Sequence, residues 1–340
     1  MKKFFLIPLL ILGSKAVTAQ SAAVLQHNGT SSSYYGNAAL QLAYTAAVNG
    51  DTIYLPGGFF APPASFDKKL MIIGAGHHPD SSAATLTTVI SGDIALGENS
   101  DGSFFSGFKL NGSITTSDNV SASNISITRV HITGSINMPG GRINPCINVL
   151  LKDCVLVGAI NCPNSLQFVI ANNIFLEVIY NIESSLITNN VFLGGGYTYN
   201  GMYISIYNTN QCVIRNNIFF KPLFDFANST SNQVLNNIFT NTPPGMINNF
   251  FSGNYFNVTA ADIFVSYGND GFTYTNNYHL ITPANYNGTD ALQVGLYGSL
   301  KPWKEGSIPL NPHIQTKTIA ENTDINGAIQ VQVKVAAQNQ

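Results

Sequence analysis

The sequence predicts an all-β chain wound into one parallel β-helix, closed at its N-terminal end by a helical cap and followed by an irregular C-terminal tail. Three observations carry this reading. First, a pair of asparagines ahead of a hydrophobic couple recurs as "ANNIF" (171–175), "TNNVF" (188–192), "RNNIF" (215–219) and "LNNIF" (235–239). Second, the intervening runs, such as "QFVI", "SLIT" and "CVIR", are short and broken by Asn, Gly and Pro. They are too short for a 3.6-residue helical period and suit strands. Third, charged residues make up only 9% of the chain against an apolar 45%, where about 25% charged is usual. The polarity therefore sits in Asn, Ser, Thr and Gly, and with aromatic and β-branched residues plentiful the profile is that of a turn-rich β protein, not a disordered one.

At the N-terminus, Lys2 and Lys3 precede an apolar run, "FFLIPLLIL" (4–12), too short to span a bilayer, and "VTA" (17–19) places small residues before a cut at Gln20. This is the pattern of an export signal over 1–19. No Cys follows the cut and no later run is long and apolar enough for a transmembrane helix. The expected destination is extracellular, cell-surface or periplasmic.

Next, "NAALQLAYTAAVNGDTIYLPGG" (37–58) reads as a short amphipathic helix, a turn and a strand, and "KKLMIIGAG" (68–76) as a further strand. An open solenoid end exposes its core and an unpaired strand, so a cap is required there. The β-helix with its cap is assigned to 20–282.

The repeat gives the coils. Aligned on the second Asn of each pair, Asn173, Asn190, Asn217, Asn237, Asn254 and Asn277 form one column, with steps of 17, 27, 20, 17 and 23 residues. "VHITGSI" (130–136), "FKLNGSI" (108–114) and "CVLVGAI" (154–160) carry the column back through Val130, Phe108 and Cys154. Steps near 20 suit one coil of three short strands and three bends, with equivalent positions stacking roughly 4.8 Å apart. Asn suits such a stack because it tolerates the left-handed bend conformation and its amide can hydrogen-bond up and down a ladder. Side-chain alternation points Leu110, Ile132, Leu156, Phe175, Phe192, Phe219, Phe239 and Phe256 inward, with His279 ending that column. The neighbouring column, Lys109, His131, Val155, Ile174, Val191, Ile218, Ile238, Tyr255 and Tyr278, points outward and is apolar from Val155 on. Such a stripe marks either a binding surface or a face covered by the tail, and coverage is the preferred reading.

After about 281 the repeat stops. The Gly- and Pro-rich stretch 283–313, which holds the only tryptophan, Trp303, is expected to cover the far end or one flank. "GAIQVQVKVAAQ" (327–338) alternates like a half-exposed strand. The tail is assigned to 283–340.

The words "GDTIYLPGG" and "KKLMIIGAG" resemble the opening of right-handed parallel β-helix proteins of the pectin lyase-like group, and the resemblance extends over roughly 37–280. It implies a right-handed coil. For activity it implies polysaccharide lyases, which use an Arg or Lys base and often calcium held by acids, or glycosidases, which use neighbouring aspartates. Here charge is sparse. The weak catalytic candidates are Arg129 with Asp153, one coil apart in the first-Asn column and most simply a salt bridge, and Asp93 with Asp101 near Glu98, most simply solvated or, alternatively, a calcium site. No metal site is expected: "HH" at 77–78 precedes Pro79 and reads as an exposed loop. No cofactor is called for beyond that alternative calcium.

The longest coil carries "GGGYTYNGMYISIYNTN" (194–210). Its Tyr197, Tyr199, Tyr203 and Tyr207 offer flat rings with polar tips, suited to sugars or protein partners. Together with Tyr255 and Tyr278 they are the candidate binding residues. Cys154 replaces a ladder Asn and is expected as a buried thiol; Cys146 and Cys162, in bends of adjacent coils, are the one candidate disulfide, and Cys212 has no partner. With a net charge of −2 and only three arginines there is no basic face for nucleic acid. The sequence therefore favours a non-catalytic exported protein that contacts polysaccharide or a surface partner, with a polysaccharide lyase or hydrolase, or an adhesive surface component, as alternatives.

Overall fold

The computed structural model describes residues 21–194, 198–199, 202–220, 228–242, 248–268, 271–308 and 312–336; for 198–199 and 202–203 only the backbone is described. Residues 1–19, expected from the sequence to be an export signal, lie outside the described residues.

The chain forms a parallel β-helix of about nine turns. One representative coil runs Leu150–Lys152, Val155–Leu156, Ile160–Asn161, and each segment pairs in parallel register with its equivalents one coil before and after. The chain turns between the first and second segments at one left-handed residue per coil: Arg129, Asp153, Asn172, Asn189, Asn216 and Asn236, with φ between 51° and 58°. This is the position of the first Asn of each pair, and after glycine Asn is the residue that enters this region at least cost.

The second Asn points inward and builds the ladder. Asn190 Nδ2 donates to Ile170 O and to Asn217 Oδ1 (both 2.9 Å), while its Oδ1 accepts from Asn173 N (2.9 Å) and Asn173 Nδ2 (3.0 Å). Both donors and both acceptor sites of the amide are satisfied in a position with no solvent exposure. The same pattern links Asn217 to Asn237 and Asn237 to Asn254. Beside it the inward rings stack: Phe175, Phe192, Phe219 and Phe239 have successive centroid separations of 4.8, 4.6 and 4.8 Å with near-parallel planes, and Phe256 follows at 5.4 Å. A second ladder joins Asn232 and Asn249, and a third, nearer the surface, links Asn137, Asn161, Asn181 and Asn208.

The N-terminal cap contains the expected helix, Ala39–Ala46, which buries Ala39, Leu40 and Ala43 over the end of the core. It also contains an antiparallel hairpin, Ala22–His27 with Thr30–Tyr35, that pairs with the first coil strand, Thr52–Leu55, and blocks its open edge.

The tail lies on the flank and begins near Val258, ahead of the expected start at 283. Tyr278 and Trp303 pack with Ile263, Phe264, Leu280, Val294 and Leu296 onto Val155, Ile174, Val191, Ile218 and Ile238. The apolar outward column is thus a second core sealed by the tail, and the in/out assignment holds. Two expectations fail at the last coil. Asn277, Tyr278 and His279 do not continue the columns, because Asn277–Leu280 runs antiparallel to Phe264–Ser266 and folds over the flank. Asn277 Oδ1 accepts from His279 N instead of from a ladder neighbour, and His279 stacks on Tyr297 (centroids 3.7 Å apart) instead of ending the Phe column. The final strand, Val331–Ala336, pairs with His313–Ile319 as a hairpin whose two faces are largely exposed, not one.

Candidate functional site

The first Asn of each pair holds the tail. Asn236 Nδ2 donates to Asn287 O (2.9 Å), Asn216 Oδ1 accepts from Thr289 N (2.9 Å), Asn189 Nδ2 donates to Gly295 O (3.2 Å) and Asn172 Nδ2 to Leu296 O (2.7 Å). As the tail advances it therefore steps back coil by coil towards the N-terminal end. The two preceding coils carry Asp153 and Arg129 at the same bend. There the amide-to-backbone clasp stops, and a cavity of about 330 Å³ opens between the solenoid and the tail.

Arg129, Lys152 and Asp153 line the solenoid wall of this cavity, and Lys301 and Lys304 the tail wall; Phe104, Thr128, Leu150, Leu300 and Pro302 complete the lining. Lys152 Nζ donates to Asp153 Oδ2 at 2.8 Å and to Lys301 O at 3.2 Å. Arg129 Nε lies 3.7 Å from Asp153 Oδ2, an ionic contact too long for a hydrogen bond. The side chains of Arg129 and Asp153 are 7% and 3% exposed, and Arg129 Nε, Arg129 Nη1 and Asp153 Oδ1 have no hydrogen-bond partner. Burial lowers the Arg129 pKa, partly offset by Asp153; burial raises that of the Asp153 carboxyl, against the pull of Lys152 and Arg129. Arg129 also sits at φ 54°, where an Arg lacks the local hydrogen-bonding that eases Asn into this region. The pair is more than the plain salt bridge expected from the sequence: it is a buried, incompletely satisfied group facing a cavity.

The other expected residues are dispersed. Asp93 Oδ1 accepts from Ser113 N and Asp101 Oδ1 from Ser123 N, both at 2.7 Å, so each braces the next coil. Among the described residues no three His, Cys, Asp or Glu side chains are grouped to hold a metal ion. Tyr197 and the side chains of Tyr199 and Tyr203 lie outside the described residues; the backbone at Thr198–Tyr199 pairs antiparallel with Met202–Tyr203. The Tyr207 hydroxyl accepts from Asn228 Nδ2 (3.0 Å). Tyr278 is buried in the second core, and the Tyr255 hydroxyl donates to Asn287 O (3.1 Å) and accepts from Asn287 N (2.9 Å), so both rings hold the tail. All four cysteines are buried free thiols and the candidate Cys146–Cys162 bridge is not formed. Cys146 pairs in register with Ser165, while Cys162 precedes that strand and is itself fully buried.

The histidine pair is a further correction. His77 is 2% exposed, not in an exposed loop, because the tail covers it. The Tyr274 hydroxyl sits 3.0 Å from His77 Nδ1 and 2.7 Å from His131 Nδ1. His77 Nε2 has no partner. Burial holds His77 well below the usual imidazole range and His131 at about 4, with Lys109 adding repulsion to both and His131 and His78 adding to His77. Both rings are therefore neutral.

Among the described residues no helix is long and apolar enough to cross a membrane. No protein family, curated protein or solved structure matches the chain, so the likeness to the pectin lyase-like group is one of fold alone.

Proposed function

We propose that the protein is exported and binds polysaccharide without cleaving it, in the cleft between the solenoid and the tail. The observation that carries this reading is the cleft's lining: apolar surface from Phe104, Leu150, Leu300 and Pro302 beside fixed polar groups with unused hydrogen-bonding capacity. That mixture suits a sugar ring, which offers apolar faces and a rim of hydroxyls. A volume of about 330 Å³ accommodates one to two sugar units, the scale of a small-ligand site. Hydrolysis of a glycosidic bond calls for two carboxyl groups flanking it, and Asp153 is the one carboxylate in this lining. The loop around Tyr197 and Tyr199 is the proposed second contact.

The test is incubation of the mature protein with a polysaccharide panel, read by affinity electrophoresis and by assays for reducing and unsaturated ends. Retardation without new ends is expected. Release of ends assigns the protein to the lyases or hydrolases instead, and absence of retardation by any polysaccharide removes the reading. Replacing Tyr197 and Tyr199 by Ala is expected to weaken retention; unchanged retention limits the contact to the cleft.

A further inference from the structure

We infer that the cleft recognises a tetrahedral oxyanion ester, a sulfate or phosphate group carried on the polysaccharide; this rests on the binding reading above and names the substituent that the cleft reads. Four cations, Arg129, Lys152, Lys301 and Lys304, line the cavity against one carboxylate, Asp153, which leaves three positive charges in excess in a chain whose net charge is −2. Charge this concentrated in so charge-poor a protein is a local feature of the cleft.

The strongest single element is Arg129. Its side chain is more than nine-tenths buried, the residue lines the cavity, and Nε and Nη1 are left without acceptors. Leaving such donors unpaired is costly, and an anionic oxygen in the cavity removes that cost through charge-assisted hydrogen bonds. Asp153 does not fill the role, because its close contact, at 2.8 Å, is to Lys152. The Arg129 backbone sits in the left-handed region, about 1–2 kcal/mol unfavourable for a residue of its kind. Strain of this sort gathers at sites that use it.

The arrangement of cations selects the shape of the anion. A carboxylate presents two oxygens in one plane and is matched by a single guanidinium fork. Here the cations stand on two facing walls, Arg129 and Lys152 on the solenoid and Lys301 and Lys304 on the tail. Three of the four are point-charge or single-nitrogen donors without a fork. Donors converging from both sides suit three oxygens splayed about a central sulfur or phosphorus.

The experiment keeps one backbone and varies the substituent: dextran, carboxymethyl dextran, dextran sulfate and dextran phosphate of matched length and substitution, with inorganic sulfate and phosphate as free-ion controls. Binding is measured by calorimetry with the intact mature protein at fixed salt. The sulfate or phosphate polymer is expected to bind at least tenfold more tightly than the carboxymethyl polymer, and the better of the two identifies the ester. Arg129→Gln is expected to weaken that binding about tenfold or more, the loss of charge-assisted hydrogen bonds. Because Arg129 is buried, the double variant Lys301→Ala, Lys304→Ala, on the tail wall, provides a second measurement with the same expected direction. Equal binding of the carboxymethyl polymer, or unchanged binding in both variants, overturns the inference. Binding of uncharged polysaccharides with no gain from either ester leaves the polysaccharide reading standing and removes the oxyanion. Binding of the free ions and both ester polymers with equal affinity per anion keeps the oxyanion and removes the polysaccharide.

Discussion

Acidification tests how the tail is held. Tyr274, on the tail, places one hydroxyl between the Nδ1 atoms of His77 and His131 on the solenoid. The groups facing this pair are Lys109, His78 and Tyr274, and no carboxylate contributes to either shift. With the tail lifted, both rings regain solvent and an ordinary pKa near 6.5. With it docked, His131 titrates at about 4 and His77 also stays well below normal. The docked state thus binds fewer protons, so docking is fully favoured above about pH 6.5 and weakens as pH falls from there towards about 4. The gap for His131 corresponds to a loss on the order of 3 kcal/mol, at about 1.4 kcal/mol per unit, and His77 adds in the same direction. Trp303 is the only tryptophan, 8% exposed within the covered core, so its emission reports docking directly. Urea titrations followed at Trp303 and by far-UV circular dichroism are expected to diverge as pH falls. The Trp303 transition should move to lower urea between about pH 7 and about pH 4.5, while the solenoid signal moves less. His131→Gln should flatten that dependence. A Trp303 midpoint independent of pH over this range, or one that shifts equally in His131→Gln, refutes the reasoning.

Three further outcomes follow from the ladder, the clasp and the thiols. Asn190→Ala strips partners from Asn173 N, one Asn173 Nδ2 hydrogen and Ile170 O; at about 1–3 kcal/mol for each buried orphan, a loss of about 3 kcal/mol or more is expected. Asn254→Ala, at the partly exposed end, should cost markedly less, and equal thermal shifts for the two would show that the ladder does not carry stability. Asn189→Gly keeps the left-handed bend accessible, removes the bond to Gly295 O and the acceptor of Thr188 Oγ1, and should loosen the tail by about 1 kcal/mol, more than the coils, which hydrogen exchange on tail against coil peptides resolves. Burial pushes the Cys154 thiol up to about 12, Cys212 to about 11, and Cys146 and Cys162 up as well. Native protein should therefore be inert to a thiol reagent and yield four reactive thiols per chain once denatured; fewer than four would point to a bridge.

Much of the solenoid was legible because each coil repeats the same local problem. The Asn-Asn-hydrophobic-Phe unit states the bend, the ladder and the inward ring in consecutive letters, so Asn173 to Asn254 and Phe175 to Phe256 fall where the alignment puts them. The cap hairpin was legible too and was missed: Asn28 and Gly29 both have positive φ, and Asn-Gly between "AVLQH" and "TSSSY" is a hairpin signal. Asn277 misled because "TNNYH" copies the motif while its strand pairs antiparallel within the tail, a choice made by tertiary contact. The site was harder. Arg129 and Asp153 were recognisable as neighbours in one column, but the cavity they line has its other wall at Lys301 and Lys304, about 150 residues on. His77 likewise owes its burial to Tyr274, 197 residues away. No local pattern encodes a cover that arrives from so far along the chain.

Stitching the tail to successive bends has a consequence for how this molecule can change length. Solenoids commonly grow or shrink by gaining or losing whole coils, since each contacts only its neighbours. Here Asn287, Thr289, Gly295 and Leu296 meet four particular coils. Removing one coil would slide every stitch by roughly 4.8 Å, the spacing of adjacent strands. The tail acts as a ruler laid along the barrel, and a coil can be added or dropped only together with a matching edit to that ruler.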